Sequence, residues 1–466
     1  MNKKLFPILS AFLLLFSLIE KGQATETYRP ETSVAGFIQL PGSGRQVYNF
    51  NPGWRFFKGD IHGAESVDFD DRSWTIVSTP HTVELMPAEA SGCRNYQGPA
   101  WYRKHFVLPA ETKGKRVLIH FEAAMGKQVL YLNGKRIQEH VGGYLPFTLD
   151  LTTNGIQAGD SCLLAIFVDN SNDKSFPPGK PQYTLDFAYH GGIYRDVWMI
   201  AKSPVSITDP LDSQTVAGGG VFVHFDKISE KSAQVYVNTE LQNDNQHTET
   251  VTVETTLTDA DGKVIKRTSG KLSLKSGEKK IIRQQIEVKS PKLWSPDAPY
   301  LYKVQSRIKK GNQSIDGGIT RIGIRLAEFR GKDGFWLNGK PFVQLVGANR
   351  HQDFAYVGNA LPNSQQWRDA KRLRDAGCTI IRVAHYPQDP SFMDACDELG
   401  MFVIVATPGW QYWNKDVKFG ELVHQNTREM IRRDRNHPSV LMWEPILNET
   451  RYPLDFALKA LEITKE

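Results

Sequence analysis

The chain has 466 residues, 40% of them hydrophobic and 23% charged, with a formal net charge of +6. That length allows two to four domains, and the balance is ordinary for a globular protein, which excludes a fibre or a wholly disordered chain. The charge is too small and too scattered to point to a nucleic-acid partner.

Lys3 and Lys4 precede an apolar run from Leu5 to Ile19, and Gly22, Gln23 and Ala24 follow it. Basic, apolar and small residues in that order read as a secretory signal peptide over residues 1–24, and the run is short for a bilayer span. Its removal would take away Lys3, Lys4, Lys21 and Glu20, a net +2, leaving +4 of the +6. The mature protein is expected to be secreted or periplasmic, with no membrane attachment after cleavage. The four cysteines, Cys93, Cys162, Cys378 and Cys396, form no dense framework and show no metal-ligand spacing, so free thiols are expected.

From residue 40 to 204 the pattern is short strands broken by turns. Val117–Phe121, Gln128–Leu132 and Leu163–Val168 read as β, and Asn133-Gly134 is a hairpin turn. With no amphipathic helix between them, they predict a jelly-roll-like antiparallel sandwich. Residues 205–327 alternate again, as in Gln234–Asn238 and Thr250–Glu254, with a tight turn at Asp261-Gly262. That spacing suggests an immunoglobulin-like sandwich without the Cys-Trp-Cys signature.

Residues 328–466 change character. Phe342–Gly347 reads as a buried strand, followed by a helix from Ser364 to Ala376 with Trp367, Ala370, Leu373 and Ala376 on one face. Strand Thr379–Ala384, a helix opened by Asp389-Pro390 and stopped by Gly400, strand Phe402–Ala406, a helix through Met430 and Ile431, strand Val440–Trp443 and a helix from Pro453 complete four βα units. Four such units form the first half of a (β/α)8 TIM barrel, whose uncovered sheet edge implies a longer protein.

In such barrels the chemistry sits where strands run into loops. These ends carry Asn349 to Asp353, then Arg382 with His385-Tyr386, then Trp410 to Trp413, and then Asn448-Glu449. A carboxyl beside an amide at a strand end can protonate a glycosidic oxygen, yet Glu449 could equally begin the next helix as a surface acid. Arg382 and His385 read as site groups or as satisfied interior polar groups. The aromatics Trp410, Tyr412 and Trp413 suit the face of a sugar ring or the filling of a loop.

Arg435-Asn436-His437-Pro438-Ser439-Val440-Leu441-Met442-Trp443 leading to Asn448-Glu449 resembles the acid/base signature of family 2 glycoside hydrolases. Gly191 to Val197, Gly347 to His351, Arg382 to Pro387 and Cys396 to Gly400 resemble further motifs of that family, in its domain order. The resemblance implies a retaining exo-glycosidase acting on a glycoside or oligosaccharide. β-Galactosides are the expected substrates, with β-glucuronides or β-mannosides as alternatives, or a truncated, inactive carbohydrate-binding protein. It implies Glu449 as general acid/base and Asn448, His385, His351, Asp186, Arg382 and Trp410 as substrate-binding residues. The nucleophile would lie on a seventh barrel strand beyond this chain. Val405-Ala406-Thr407-Pro408 stands where many members carry an acidic pair, so no metal and no cofactor are expected, and Glu444 is a minor rival to Glu449.

Overall fold

The computed structural model describes residues 31–32, 38–86, 95–213, 215–342 and 344–466. The expected signal segment and Cys93 lie outside the described residues; Cys162, Cys378 and Cys396 are free thiols. Among the described residues no helix is long and apolar enough to cross a membrane.

The first layer pair is an antiparallel sandwich of a five-stranded and a six-stranded sheet. Alternation builds it: Tyr102 and Phe106 on the strand Pro99–Val107 face inward with Ile166, meeting Phe121 and Met199 of the other sheet around Trp54. The hairpin joining Gly126–Leu132 to Lys135–Gly142 turns at Asn133 (φ 49°) and Gly134 (φ 80°), the left-handed pair that a type I′ turn requires. Two four-stranded antiparallel sheets follow, one centred on Ser232–Asn243 and the other on Glu249–Thr258 and Tyr302–Lys310. Val235, Val237, Leu257, Ile286 and Val304 fill the space between them, giving the expected immunoglobulin-like sandwich.

The last part is a parallel sheet in which Gly347–Arg350, Ile380–Val383, Phe402–Ala406 and Val440–Glu444 lie side by side in chain order. Helices Asn363–Asp375, Pro390–Leu399, Val417–Asp434 and Leu454–Lys465 follow the strands. The second helix is bounded as its sequence requires. Asp389 caps it by accepting from Ser391 N at 2.9 Å, Pro390 opens it, and Gly400 closes it at φ 73°.

Two expectations need correction. The first barrel strand is Gly347–Arg350, displaced along the chain from the apolar run at Phe342–Gly347. Phe342 instead packs with Phe335 and Phe402 beneath the sheet, next to the small antiparallel sheet that forms the barrel floor. Gly347 begins the strand because a Cβ there would collide with the Ile380 carbonyl of the neighbouring strand. On the first helix the buried residues are Gln366 and Ala370, whereas Trp367 is 37% exposed. The Arg350 guanidinium rises from the sheet and donates to Gln366 Oε1 (3.0 Å) and Asp369 Oδ2 (2.6 Å), so a polar anchor sets which face turns inward.

The parts are joined by buried and half-buried polar groups. Arg195, fully buried, donates to Tyr144 O in its own sandwich and to Gln352 Oε1 and Pro387 O in the barrel loops. Tyr144 stacks on Tyr386 at 4.0 Å between ring centroids. Asp196 accepts from Asn51 on one side and Asn363 on the other. Asn436 exchanges hydrogen bonds with the backbone of Val221 and Val223 in the second sandwich, and Arg435 donates to Gly218 and Gly219. Next to this joint, within the barrel itself, His437 Nδ1 lies 2.6 Å from Asp397 Oδ2, and Asp397 also accepts from Ser439 N. Burial pulls the His437 pKa down, but the Asp397 charge and hydrogen bond outweigh it and hold it near 9.

Candidate active site

The C-terminal ends of the four parallel strands converge on one rim. Arg382, on the second strand, grips Glu444 at the end of the fourth with Nε and Nη2 at 2.7 and 2.6 Å. The same Nη2 donates to Asn448 Oδ1 at 3.2 Å. An amide whose oxygen faces an arginine keeps its NH2 group for another acceptor. Glu444 is therefore committed to an ion pair, and the carboxyl that stays accessible on this strand is Glu449.

Glu449 is exposed, at φ 49°, and one of its oxygens accepts from Gln411 Nε2 (2.6 Å) and Trp410 Nε1 (3.2 Å). These two donors, Gln411 first, hold its pKa below the usual glutamate value. The third-strand loop that carries them is tied to its neighbours by backbone bonds from Gly409 N to His385 O and from Gln411 N to Asn448 O.

Histidines and aromatics make the adjoining wall. His385 stacks parallel to Trp410, and His351 lies edge-on to His385 with ring centroids 5.8 Å apart. Burial, then the charge of Arg382, brings His385 down to about 4, and burial also lowers His351. Both are neutral near pH 7, so each presents one donor and one acceptor, as hydroxyl recognition requires. Asp186 is exposed on the loop that the first sandwich extends over the rim, and its charge acts on both histidines.

The structure thus brings Glu449, Asn448, Arg382, His385, His351 and Trp410 to one rim, with Asp186 beside it. Sequence reasoning did not single out Phe187, Gln411 or Lys180. Phe187 sits between His351 (4.8 Å) and Trp410 (6.1 Å), closing the wall from the sandwich side. Lys180 Nζ lies 3.3 Å from the Trp410 ring centroid and 2.7 Å from Gln411 Oε1. Their only signal was nearness in sequence to Asp186 or Trp410; that loop and rim meet is a tertiary fact. Asp394, Asp397 and His437 also cluster, but Arg321 pairs with Asp394 and His437 with Asp397, so protein cations already occupy that site.

Three models of family 2 glycosyl hydrolases match the chain in order. The sugar-binding domain matches residues 64–204, the central family domain 219–325 and the TIM barrel domain 329–465. A β-galactosidase of Thermoanaerobacter pseudethanolicus is 36% identical over 426 residues, covering 90% of this chain and 54% of that protein. A β-glucuronidase of Bacteroides fragilis is 31% identical over 91% of this chain and 59% of its own length. Among solved structures, Bacteroides uniformis β-glucuronidase 2 superposes with a TM-score of 0.79 at 31% identity, covering 90% of this chain and 50% of that one. The chain spans about half the length of the curated relatives it matches. With both sandwiches and the barrel segment matched in sequence and in fold, the chain belongs to family 2 of the glycosyl hydrolases.

Proposed function

We propose that this chain carries the acid/base half of the active site of a retaining exo-glycosidase that removes terminal β-linked sugars, β-galactosides first. The carrying observation is Glu449, accessible at the rim and held by two donors, while Glu444 beside it is neutralised by Arg382. Glu449 protonates the departing oxygen and later activates water; the Asn448 NH2 holds the sugar's 2-hydroxyl; His351, His385 and Asp186 bind further hydroxyls over Trp410. A retaining mechanism requires a second carboxylate about 5–5.5 Å from the first. Its negative charge would raise the Glu449 pKa towards the range a general acid needs. β-Glucuronides are the second reading, because relatives named for that activity match nearly as well. The segment before the first sandwich directs export, placing the enzyme in the periplasm or outside the cell.

The test is hydrolysis of nitrophenyl β-galactoside, β-glucuronide and β-mannoside by the natural full-length polypeptide and its Glu449→Gln variant. Glu449→Gln is expected to lose about 10²–10⁴-fold in rate on the preferred sugar, the usual contribution of general acid–base catalysis. Undiminished turnover by Glu449→Gln refutes the assignment, and binding of sugars without hydrolysis by the native protein returns the binding-only reading.

A further inference from the structure

The loop that the first sandwich sends over the rim makes one contact that the mechanism above does not use. Lys180 is 7% exposed, and its ammonium reaches both residues that hold the Glu449 carboxylate. Its backbone approaches the barrel this closely because Gly179 (φ 70°) precedes it: a Cβ there would stand 2.7 Å from the Tyr412 ring and 3.0 Å from Phe419. Tyr412 Oη and Asn414 Nδ2 donate to Lys174 O and pin the same loop to the barrel.

The chemistry of the chain from Lys180 to Glu449 runs one way. An ammonium only donates, so the Gln411 atom facing it is the amide oxygen; a carboxylate only accepts, so the atom facing Glu449 is the amide nitrogen. Remove Lys180 and the amide oxygen loses its partner, so the Gln411 side chain is held from one end only, by its bond to Glu449. The ammonium also sits on the Trp410 face, the second donor to Glu449. Gln411 (φ 50°) and Glu449 (φ 49°) both occupy left-handed backbone, a conformation held only where neighbours fix it.

We propose that Lys180 is a positioning residue, through which the N-terminal sandwich sets the orientation of the acid/base Glu449 by way of Gln411 and Trp410. The proposal rests on the acid/base reading of Glu449. The charged and titratable groups facing that carboxyl are Arg382 and His385 from the second strand, with Glu444 behind Arg382, and Lys180 from the sandwich loop through its relay.

The experiment compares kcat/KM in the natural full-length polypeptide for an alkyl β-glycoside, whose leaving group needs a proton, and a dinitrophenyl β-glycoside, whose leaving group does not. Lys180→Met is expected to lower the alkyl value about tenfold and leave the dinitrophenyl value within about twofold, the mark of a misplaced proton donor. It should also move the basic limb of the pH profile upward, since Gln411 and Trp410, the donors to the charged form of Glu449, are then held less firmly. Gln411→Leu should behave alike, and the double variant should lose less than the two single losses combined, since only the Trp410 arm is left for Lys180 to act through. Additive losses, or equal losses on both substrates, overturn the relay. Should Glu449→Gln itself hydrolyse the alkyl glycoside normally, the acid/base reading beneath the proposal fails instead.

Discussion

In the stretch Arg435–Ser439 the polar side chains turn back into the protein: Arg435 and Asn436 bond the second sandwich, and His437 pairs with Asp397. A few residues on, Glu449 stands exposed on the rim, held by two donors on a single oxygen. Both stretches belong to the same sequence signature, yet one is a joint between domains and the other a reactive end. A motif of this kind records which residues must stay together, and burial separates those that hold the barrel in place from those that meet substrate. The Gly191–Val197 stretch teaches the same lesson, since Arg195 and Asp196 are both interdomain bonds.

The comparison breaks most readily at the His437–Asp397 pair, inside the barrel directly behind the Arg435 and Asn436 joint. Asp397→Ala would leave His437 without its partner and Ser439 N without an acceptor, and should cost about 3–5 kcal/mol in urea unfolding. An unchanged midpoint would show that this inward-turned pair contributes no stability. A smaller, reversible form of the experiment uses pH. The His437 folded-state pKa, near 9, lies above the unfolded value of about 6.5. The pair therefore stabilises fully below about pH 6.5 and is lost as pH rises through 9, on the order of 2–3 kcal/mol, and Asp397→Asn should flatten that slope. At the rim the balance reverses. Arg382→Met removes the partner of Glu444, but both side chains retain solvent contact (21% and 18% exposed), so the stability cost should be only about 1–2 kcal/mol. Activity should fall much further, because Asn448 loses the donor that fixes its amide. A stability loss as large as that of Asp397→Ala would make the rim a second joint and erase the distinction.

Much of the fold was legible in advance because its signals are local. Alternation marks Gln234–Asn238 whatever lies opposite, Asn133-Gly134 closes a hairpin by its own φ preferences, and Asp389-Pro390 with Gly400 brackets a helix without outside help. The first barrel strand escaped because apolar content was the guide. Phe342 is apolar to fill the floor, whereas Gly347–Arg350 pairs through its backbone and carries little apolar surface.

For the site, chain order and residue type drew attention to Glu449, Asn448, Arg382, His385, His351 and Trp410, because barrel strand ends recur at readable intervals and polar residues there are conspicuous; Asp186, in the first sandwich, was nominated only by the family resemblance. Only the tertiary structure decided which of two neighbouring glutamates is neutralised, since that depends on the reach of Arg382 from another strand. Only it showed that a lysine from the first sandwich stands over the third-strand loop, far away in sequence. Local preference writes elements into the sequence, but hydrogen bonds between side chains on different elements exist only once packing has brought their ends within about 3 Å.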